Sequence, residues 1–321
     1  MMMKSAIVLA AATASLFAQG LDPKKLLEPP TDSWPTYNGD YSGRRFSTLD
    51  KINASNIREL KLAWVRRVSA GQQNTSGPFG LSIKATPILV NGVLYFTAPD
   101  HVWAVDARSG QELWHYNWKS KGGIHIGNRG VGIYENWLYF ETPDCHLVSL
   151  NLKDGKERWN KEICDLDQQY YGSVAPMVVK NHILVGVSGD DLDIPGYLDA
   201  RDPETGELQW RFNIEPKKGE PGFESWPNAE AAAHGGGMTW IPGTYDPQLN
   251  IYYLGTGNPQ PVLAGKGREG DNLTRNRSSR SIPIRESWSG ITSLRRTTRT
   301  TGTRSRHRFF SMGNIRASRG I

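Results

Sequence analysis

The sequence predicts an all-β fold of the β-propeller class, and two observations carry this prediction. First, three segments share one pattern, in which an apolar strand leads to a polar turn with Gly and, four residues after that Gly, to Trp. Second, the three turns lie 45 and 51 residues apart, a spacing typical of propeller blades. The pairs are Gly110 with Trp114, Gly155 with Trp159, and Gly206 with Trp210.

Each repeat should form two antiparallel strands around its turn, since Gly tolerates the positive φ that a tight turn requires. Two further hairpins precede the first and third repeats. Their strands are 86–90 with 93–97 around Asn91-Gly92, and 175–179 with 183–187 around Asn181-His182. Stacked radially, such hairpins bury both faces, with the Trp between neighbouring blades. We find no convincing helix pattern.

The amino terminus resembles a secretory signal. Lys4 supplies a positive start, 6–17 are largely apolar, and Ala18 is a small residue at a plausible cleavage point. The alternative is a short membrane anchor, but a spanning helix needs about 20 apolar residues. We therefore expect residues 1–20 to be a cleaved signal peptide, the mature protein to be periplasmic or secreted, and no stable membrane insertion.

The net charge of +6 does not indicate a nucleic-acid partner, because it is unevenly distributed. Residues 274–321 hold twelve Arg and one acidic residue, Glu286, whereas the rest of the chain is net acidic. The two cysteines, Cys145 and Cys164, flank a turn. A disulfide and two free buried thiols are both compatible with their positions.

Four motifs resemble the quinoprotein methanol and ethanol dehydrogenases over about residues 30–273. The resemblance implies an eight-bladed propeller, of which about half the blades are present here. It also implies pyrroloquinoline quinone (PQQ) and calcium as cofactors, a primary alcohol as substrate and a periplasmic cytochrome c as electron acceptor. The motifs occupy 34–47 (WPTYNGDYSGRRFS), 127–130 (GNRG), 185–189 (VGVSG) and 255–259 (GTGNP).

The resemblance assigns five cofactor-binding residues. Trp240, which follows three glycines, matches the tryptophan that stacks on the quinone, although a blade-packing role is the alternative. Arg129 matches the arginine that contacts the quinone carbonyl, and its alternative is a surface ion pair. Ser173, Ser188 and Gly189 match positions that hold the cofactor carboxylates.

Two residues are assigned to the metal. Asn258 matches the metal-binding asparagine, and Asp191 stands where the family has a ligating glutamate. Aspartate keeps the charge but has a shorter reach, so the metal could be calcium or a lanthanide, and Asp190 or Asp193 could share the role. A solvated acidic turn is the alternative for this segment.

The sequence departs from the family in two further places. Where the family often has adjacent cysteines that cover the quinone ring, this chain has 123–126, so that Ile124 or His125 would have to cover it. Lys84 stands where the family commonly has glutamate, which reverses a charge at the rim of the site.

Residues 274–321 lack both the family pattern and apolar periodicity, and a disordered basic tail is one interpretation. The other is a frameshift. Synonymous codons for 276–289, read two nucleotides along, permit SIVALNPDTGKLVW, which repeats the Gly-to-Trp pattern. The same offset across 294–303 permits SPHDTHDWD, which matches the family segment with the catalytic aspartate. We therefore predict a partial propeller over 21–273, a frameshifted tail without a catalytic residue, and an inactive chain as written.

A non-catalytic propeller, such as an outer-membrane assembly scaffold, is the rival hypothesis, because it shares the Gly-to-Trp repeat. A scaffold has no reason to hold Trp240, Arg129, Asp191 and Asn258 together.

Overall fold

A computed structural model describes residues 20–68, 83–189, 193–220, 223–233, 235–258, 260 and 280–284. Three antiparallel sheets each contain four strands in chain order. Their strands are β1 (Ile88–Val90), β2 (Val93–Ala98), β3 (His101–Asp106), β4 (Glu112–Asn117), β5 (Gly132–Tyr134), β6 (Trp137–Glu141), β7 (His146–Asn151), β8 (Glu157–Glu162), β9 (Met177–Val179), β10 (His182–Gly186), β11 (Tyr197–Arg201) and β12 (Leu208–Asn213).

A fourth sheet has three strands, β13 (Thr244–Asp246), β14 (Ile251–Leu254) and β15 (Arg280–Pro283). The helical content of the described residues is small, as the sequence indicated. It consists of α1 (Ala229–Ala233) and short 3-10 turns at Pro23–Leu26, Ile57–Glu59 and Phe223–Ser225. None of the described helices is long and apolar enough to span a bilayer.

The predicted Gly and Trp repeat is the contact between neighbouring sheets. A Cβ atom added to Gly155 would lie 2.6 Å from the Trp114 ring, and one added to Gly206 would lie 2.8 Å from the Trp159 ring. Trp114 also donates its indole N–H to the carbonyl of Leu152 at 2.9 Å. The Trp of one blade therefore lies on the turn of the next, and only Gly leaves room for it.

The same contact occurs once more, at a place that the sequence pattern did not reveal. A Cβ atom on Gly110 would lie 2.6 Å from Trp64, whose indole N–H donates to the carbonyl of Ala107 at 3.1 Å. Residues 61–68 thus take the position of the outer strand of a preceding blade, although they pair with no strand among the described residues. Leu62 and Val65 on this segment are 79% and 78% exposed.

An amino-terminal segment connects all four sheets. Residues 20–45 run across them and form a hydrogen bond with each one. These bonds are Leu21 N–H to Glu135 O at 2.8 Å, Trp34 N–H to Leu89 O at 2.8 Å, Tyr41 Oη to Val178 O at 2.6 Å, and Tyr245 N–H to Tyr41 O at 2.9 Å. The four sheets, about half of the eight blades that the resemblance implies, are therefore held as one unit.

Cys145 and Cys164, whose pairing the sequence left open, form a disulfide with a Cα–Cα distance of 5.0 Å. The bond joins the turn before β7 to the residues after β8, within the second sheet.

The basic tail differs in part from its prediction. β15 lies inside 274–321, yet it pairs with β14 along its whole length instead of being disordered. Pairing of this kind needs backbone groups more than a particular side-chain pattern, which explains why the sequence did not indicate it. The rest of the tail and nearly all of the predicted signal peptide lie outside the described residues, and their predictions stand as made.

Candidate cofactor site

The predicted cofactor residues lie at one end of the second and third sheets. Arg129 precedes β5, Ser173 precedes β9, and Ser188 follows β10. In an antiparallel pair the start of one strand lies beside the end of the next, so these loops emerge at the same end. Backbone hydrogen bonds between Tyr171 and Ser188, at 3.1 and 3.2 Å, fix the two loops of the third sheet to each other.

Four of these residues form a continuous set of contacts. Nη1 of Arg129 donates to Oγ of Ser173 at 2.6 Å, and the hydroxyls of Ser173 and Ser188 are 2.6 Å apart. The Arg129 guanidinium carbon lies 4.4 Å from the centroid of the Trp240 ring. Both serines are buried, whereas Arg129 and Trp240 are partly exposed. The site therefore offers an aromatic face, a cation and two hydroxyls.

Trp240 does not occupy the position of the blade-packing tryptophans, which lie against the Gly of a neighbouring turn. It ends a segment that lies against β10, where a Cβ atom on Gly186 would be 2.1 Å from the carbonyl of Thr239. Thr239 is bonded through its N–H to the carbonyl of Val187 at 3.1 Å and accepts from the N–H of Val187 at 3.0 Å. Trp240 also packs partly against a buried hydrophobic cluster, and stacking on a cofactor stays a prediction.

Gly189 follows Ser188 with a φ of 148°, and a Cβ atom there would lie 2.6 Å from the side chain of Ile194. The close approach explains why this position is glycine. A contact between Gly189 and a cofactor carboxylate stays a prediction.

The metal residues are less well defined. Asn258 is exposed, and its carbonyl accepts from the N–H of Gly237 at 2.9 Å, which places it beside the segment that bears Trp240. Asp190 and Asp191 lie outside the described residues, and Asp193 accepts from the N–H of Gly235 at 2.6 Å. In the described part of the chain no three His, Cys, Asp or Glu residues form a group that could hold a metal. The metal site therefore stays a prediction.

The loop that replaces the family's cysteines is anchored by a buried contact between His125 and Asp100. Nε2 of His125 lies 2.6 Å from Oδ2 of Asp100, and both side chains are almost fully buried. The hydrogen bond to Asp100 raises the pKa of His125, which favours the charged imidazolium. Because His125 is bonded within the protein, Ile124, which is partly exposed, is the better candidate for covering a ring.

Lys84 is exposed, and the aliphatic part of its side chain lies against Gly127.

Two buried polar residues beside the site were not singled out from the sequence. Asn128 is buried and accepts from Thr97 Oγ1 at 2.5 Å and from the N–H of Gly130 at 2.8 Å, so it sets the backbone beside Arg129. Glu141 is fully buried at the end of β6, and its burial raises its pKa to about 8. A carboxylate at the end of the apolar run 137–140 was the available signal.

Taken together, the fold and the site define a β-propeller that can bind a flat, anionic ligand. The donor set fits PQQ, because an aromatic face suits the planar ring, while the guanidinium and the hydroxyls suit its carboxylates and carbonyls. The family profile described as "PQQ: Glucose/ethanol/alcohol dehydrogenase, beta-propeller domain" matches residues 34–278. The chain belongs to this PQQ-dependent dehydrogenase family, and the predicted all-β propeller fold is confirmed.

Similar proteins agree with this assignment. The chain is 36% identical over 252 residues to the quinoprotein alcohol dehydrogenase PedH of Pseudomonas putida, a match that covers 72% of this chain and 41% of that protein. The crystal structure of quinohemoprotein alcohol dehydrogenase from Comamonas testosteroni superposes with a TM-score of 0.72 at 28% identity and covers 89% of this chain and 44% of that one. A europium-containing methanol dehydrogenase superposes with a TM-score of 0.65 at 28% identity, covering 78% and 46%. The chain thus spans about two-fifths of the length of these relatives.

Proposed function

We propose that this chain carries the amino-terminal part of the cofactor site of a PQQ-dependent alcohol dehydrogenase. Contact between Arg129, Ser173, Ser188 and Trp240 supports the proposal most strongly, because four separate segments of the chain bring these residues together. The names of the similar proteins support an alcohol as the substrate.

Each residue has a distinct role in this proposal. Trp240 offers its ring face to the planar cofactor, and Arg129 attracts the anionic groups at the cofactor's edge. Ser173 and Ser188 hold those groups by hydrogen bonds in a buried setting, where such bonds are worth more than in water. When bound, PQQ supplies the two-electron acceptor for oxidation of the alcohol.

We further propose that Asn258 and Asp191 bind a calcium ion or a lanthanide beside the cofactor, as their oxygen donors suit a hard cation. A primary alcohol is the proposed substrate, and a cytochrome c in the periplasm is the proposed electron acceptor. The catalytic aspartate is expected in the frameshifted segment. The chain as written should therefore contact only part of a bound cofactor and should show no turnover. Cleavage of residues 1–20 during export belongs to the same proposal.

Binding of PQQ, measured by quenching of tryptophan fluorescence with calcium present, tests the cofactor site. Arg129→Ala should weaken binding at least about tenfold, the loss expected for one charge-assisted contact of about 1.5–3 kcal/mol. Arg158→Ala is the matched control, because Arg158 also lies over an indole ring, Trp137 at 4.0 Å, but is bonded to Glu204 away from the site.

Arg158→Ala should leave PQQ binding unchanged. Equal losses in the two variants, or no binding by the parent chain, would contradict the proposed site and favour a non-catalytic propeller.

A further inference from the structure

Glu141 is a buried carboxyl group that the proposed chemistry does not use. Its side chain is fully buried, and a Cβ atom on Gly172 would lie 2.5 Å from its Cγ atom. Oε2 accepts from the N–H of Val174 at 2.5 Å, whereas Oε1 has no hydrogen-bond partner among the described residues. A buried carboxyl oxygen without a partner is costly, so a structural role in the core alone does not explain this residue.

Glu141 links two of the segments that carry the proposed cofactor residues. Its carbonyl accepts from Nδ2 of Asn128 at 2.8 Å, next to Arg129, and its carboxyl group holds Val174, next to Ser173. Arg129 and Ser173 are themselves bonded at 2.6 Å. The carboxyl group therefore lies behind the pair formed by Arg129 and Ser173, which offer a cation and a hydroxyl to the proposed cofactor.

We infer that Glu141 is a positioning residue of the cofactor site, which holds Ser173 against Arg129 and sets, through its own charge, how strongly Arg129 attracts the anionic cofactor. This inference rests on the proposed function. Among the described residues, Arg129 and Tyr197 interact electrostatically with Glu141. Arg129 stabilises its ionised form, and the pKa of Tyr197, which burial raises most, is raised further by the negative charge of Glu141.

The direction of the effect follows from burial. Burial raises the pKa of Glu141 to about 8, and this outweighs the opposing backbone hydrogen bonds and the charge of Arg129. Below that pH the carboxyl group is neutral and the charge of Arg129 is unopposed. Above it, the carboxylate compensates the guanidinium and affinity for an anion falls. The carboxylates of PQQ stay ionised throughout, because ordinary carboxyl groups titrate near pH 4.

The test measures PQQ affinity of the 321-residue chain from about pH 6 to about pH 10, a range that spans the titration of Glu141 and leaves ordinary carboxylates ionised. In the parent, affinity should fall by about tenfold or more across this range, as expected when a unit negative charge forms about 10 Å from the bound anion at an effective dielectric constant of about 20. Glu141→Gln keeps the shape and cannot ionise, so its affinity should vary much less. Glu162→Gln, at an exposed carboxylate that ends β8, is the control and should follow the parent.

Infrared spectroscopy gives a second measurement that does not require PQQ. The parent should show the carbonyl stretch of a protonated carboxyl group at neutral pH, which Glu141→Gln lacks and which disappears as the pH rises through about 8. Absence of that band at neutral pH overturns the inference.

If PQQ binds and the pH profiles of parent and Glu141→Gln coincide, the inference is wrong and the proposed function stands. If the parent binds no PQQ at any pH, both fail. If the Gln variant does not fold, the PQQ affinity of the parent still tests the inference, because a constant affinity across this pH range contradicts it.

Discussion

Gly155→Ala should destabilise the protein through the contact between two blades. Gly155 has a φ of 68°, and the new Cβ atom would lie 2.6 Å from the buried ring of Trp114. The left-handed backbone costs an L-residue about 1–2 kcal/mol. Crowding against a ring that cannot move freely costs about 1–3 kcal/mol more. The expected loss in the free energy of unfolding is therefore about 2–5 kcal/mol, measured by urea denaturation followed by tryptophan fluorescence.

Gly92→Ala separates the two contributions. Gly92 has a φ of 78°, and an added Cβ atom meets nothing within 4 Å, so this variant should lose only the backbone contribution. Gly110→Ala should behave like Gly155→Ala, because its Cβ atom would meet Trp64 at 2.6 Å. If Gly155→Ala and Gly92→Ala lose the same stability, the Trp ring does not press on the turn and the packing argument is refuted.

Three further outcomes are expected. In a protein whose frame is restored after Leu273, Trp240→Ala should weaken PQQ retention more than Trp159→Ala, because Trp159 packs between blades. Equal cofactor content in the two variants would contradict the stacking role of Trp240. Replacing Cys145 and Cys164 by Ala should lower the free energy of unfolding by about 3 kcal/mol for this short loop. An unchanged free energy of unfolding in urea denaturation would contradict this expectation. In the restored protein Asp191→Ala should abolish alcohol oxidation that excess calcium only partly rescues, while Asp191→Glu should retain it; parent-like turnover by the Ala variant would show that Asp191 is only a turn residue.

Three of the four sheets follow from the sequence, since each contains one Gly and Trp pair at the repeat spacing. Trp64 was missed because no Gly lies four residues before it, although it precedes Trp114 by 50 residues. The sequence pattern was defined by a Gly and a Trp in the same segment. The packing contact needs only the Trp from that segment, because its partner glycine, Gly110, belongs to the next sheet.

In the candidate site, too, the sequence identified individual residues but not the contacts between residues far apart in the chain. The family resemblance identified Arg129, Ser173, Ser188 and Trp240, and the structure places them in contact. The orientation of His125 depends on Asp100 in another loop, 25 residues away, so the sequence left His125 and Ile124 as equal candidates. Nothing local distinguishes a partner of this kind from any other acidic residue nearby.

We propose that the chain carries part of a PQQ-dependent alcohol dehydrogenase and that its catalytic residue is lost with the frame after Leu273. The most direct measurement compares dye-linked oxidation of a primary alcohol by the chain as written and by the frame-restored protein, with PQQ and calcium supplied. We expect turnover by the restored protein and none by the chain above a cofactor-only control. Turnover by the chain as written, or none by a folded restored protein that binds PQQ, would contradict it.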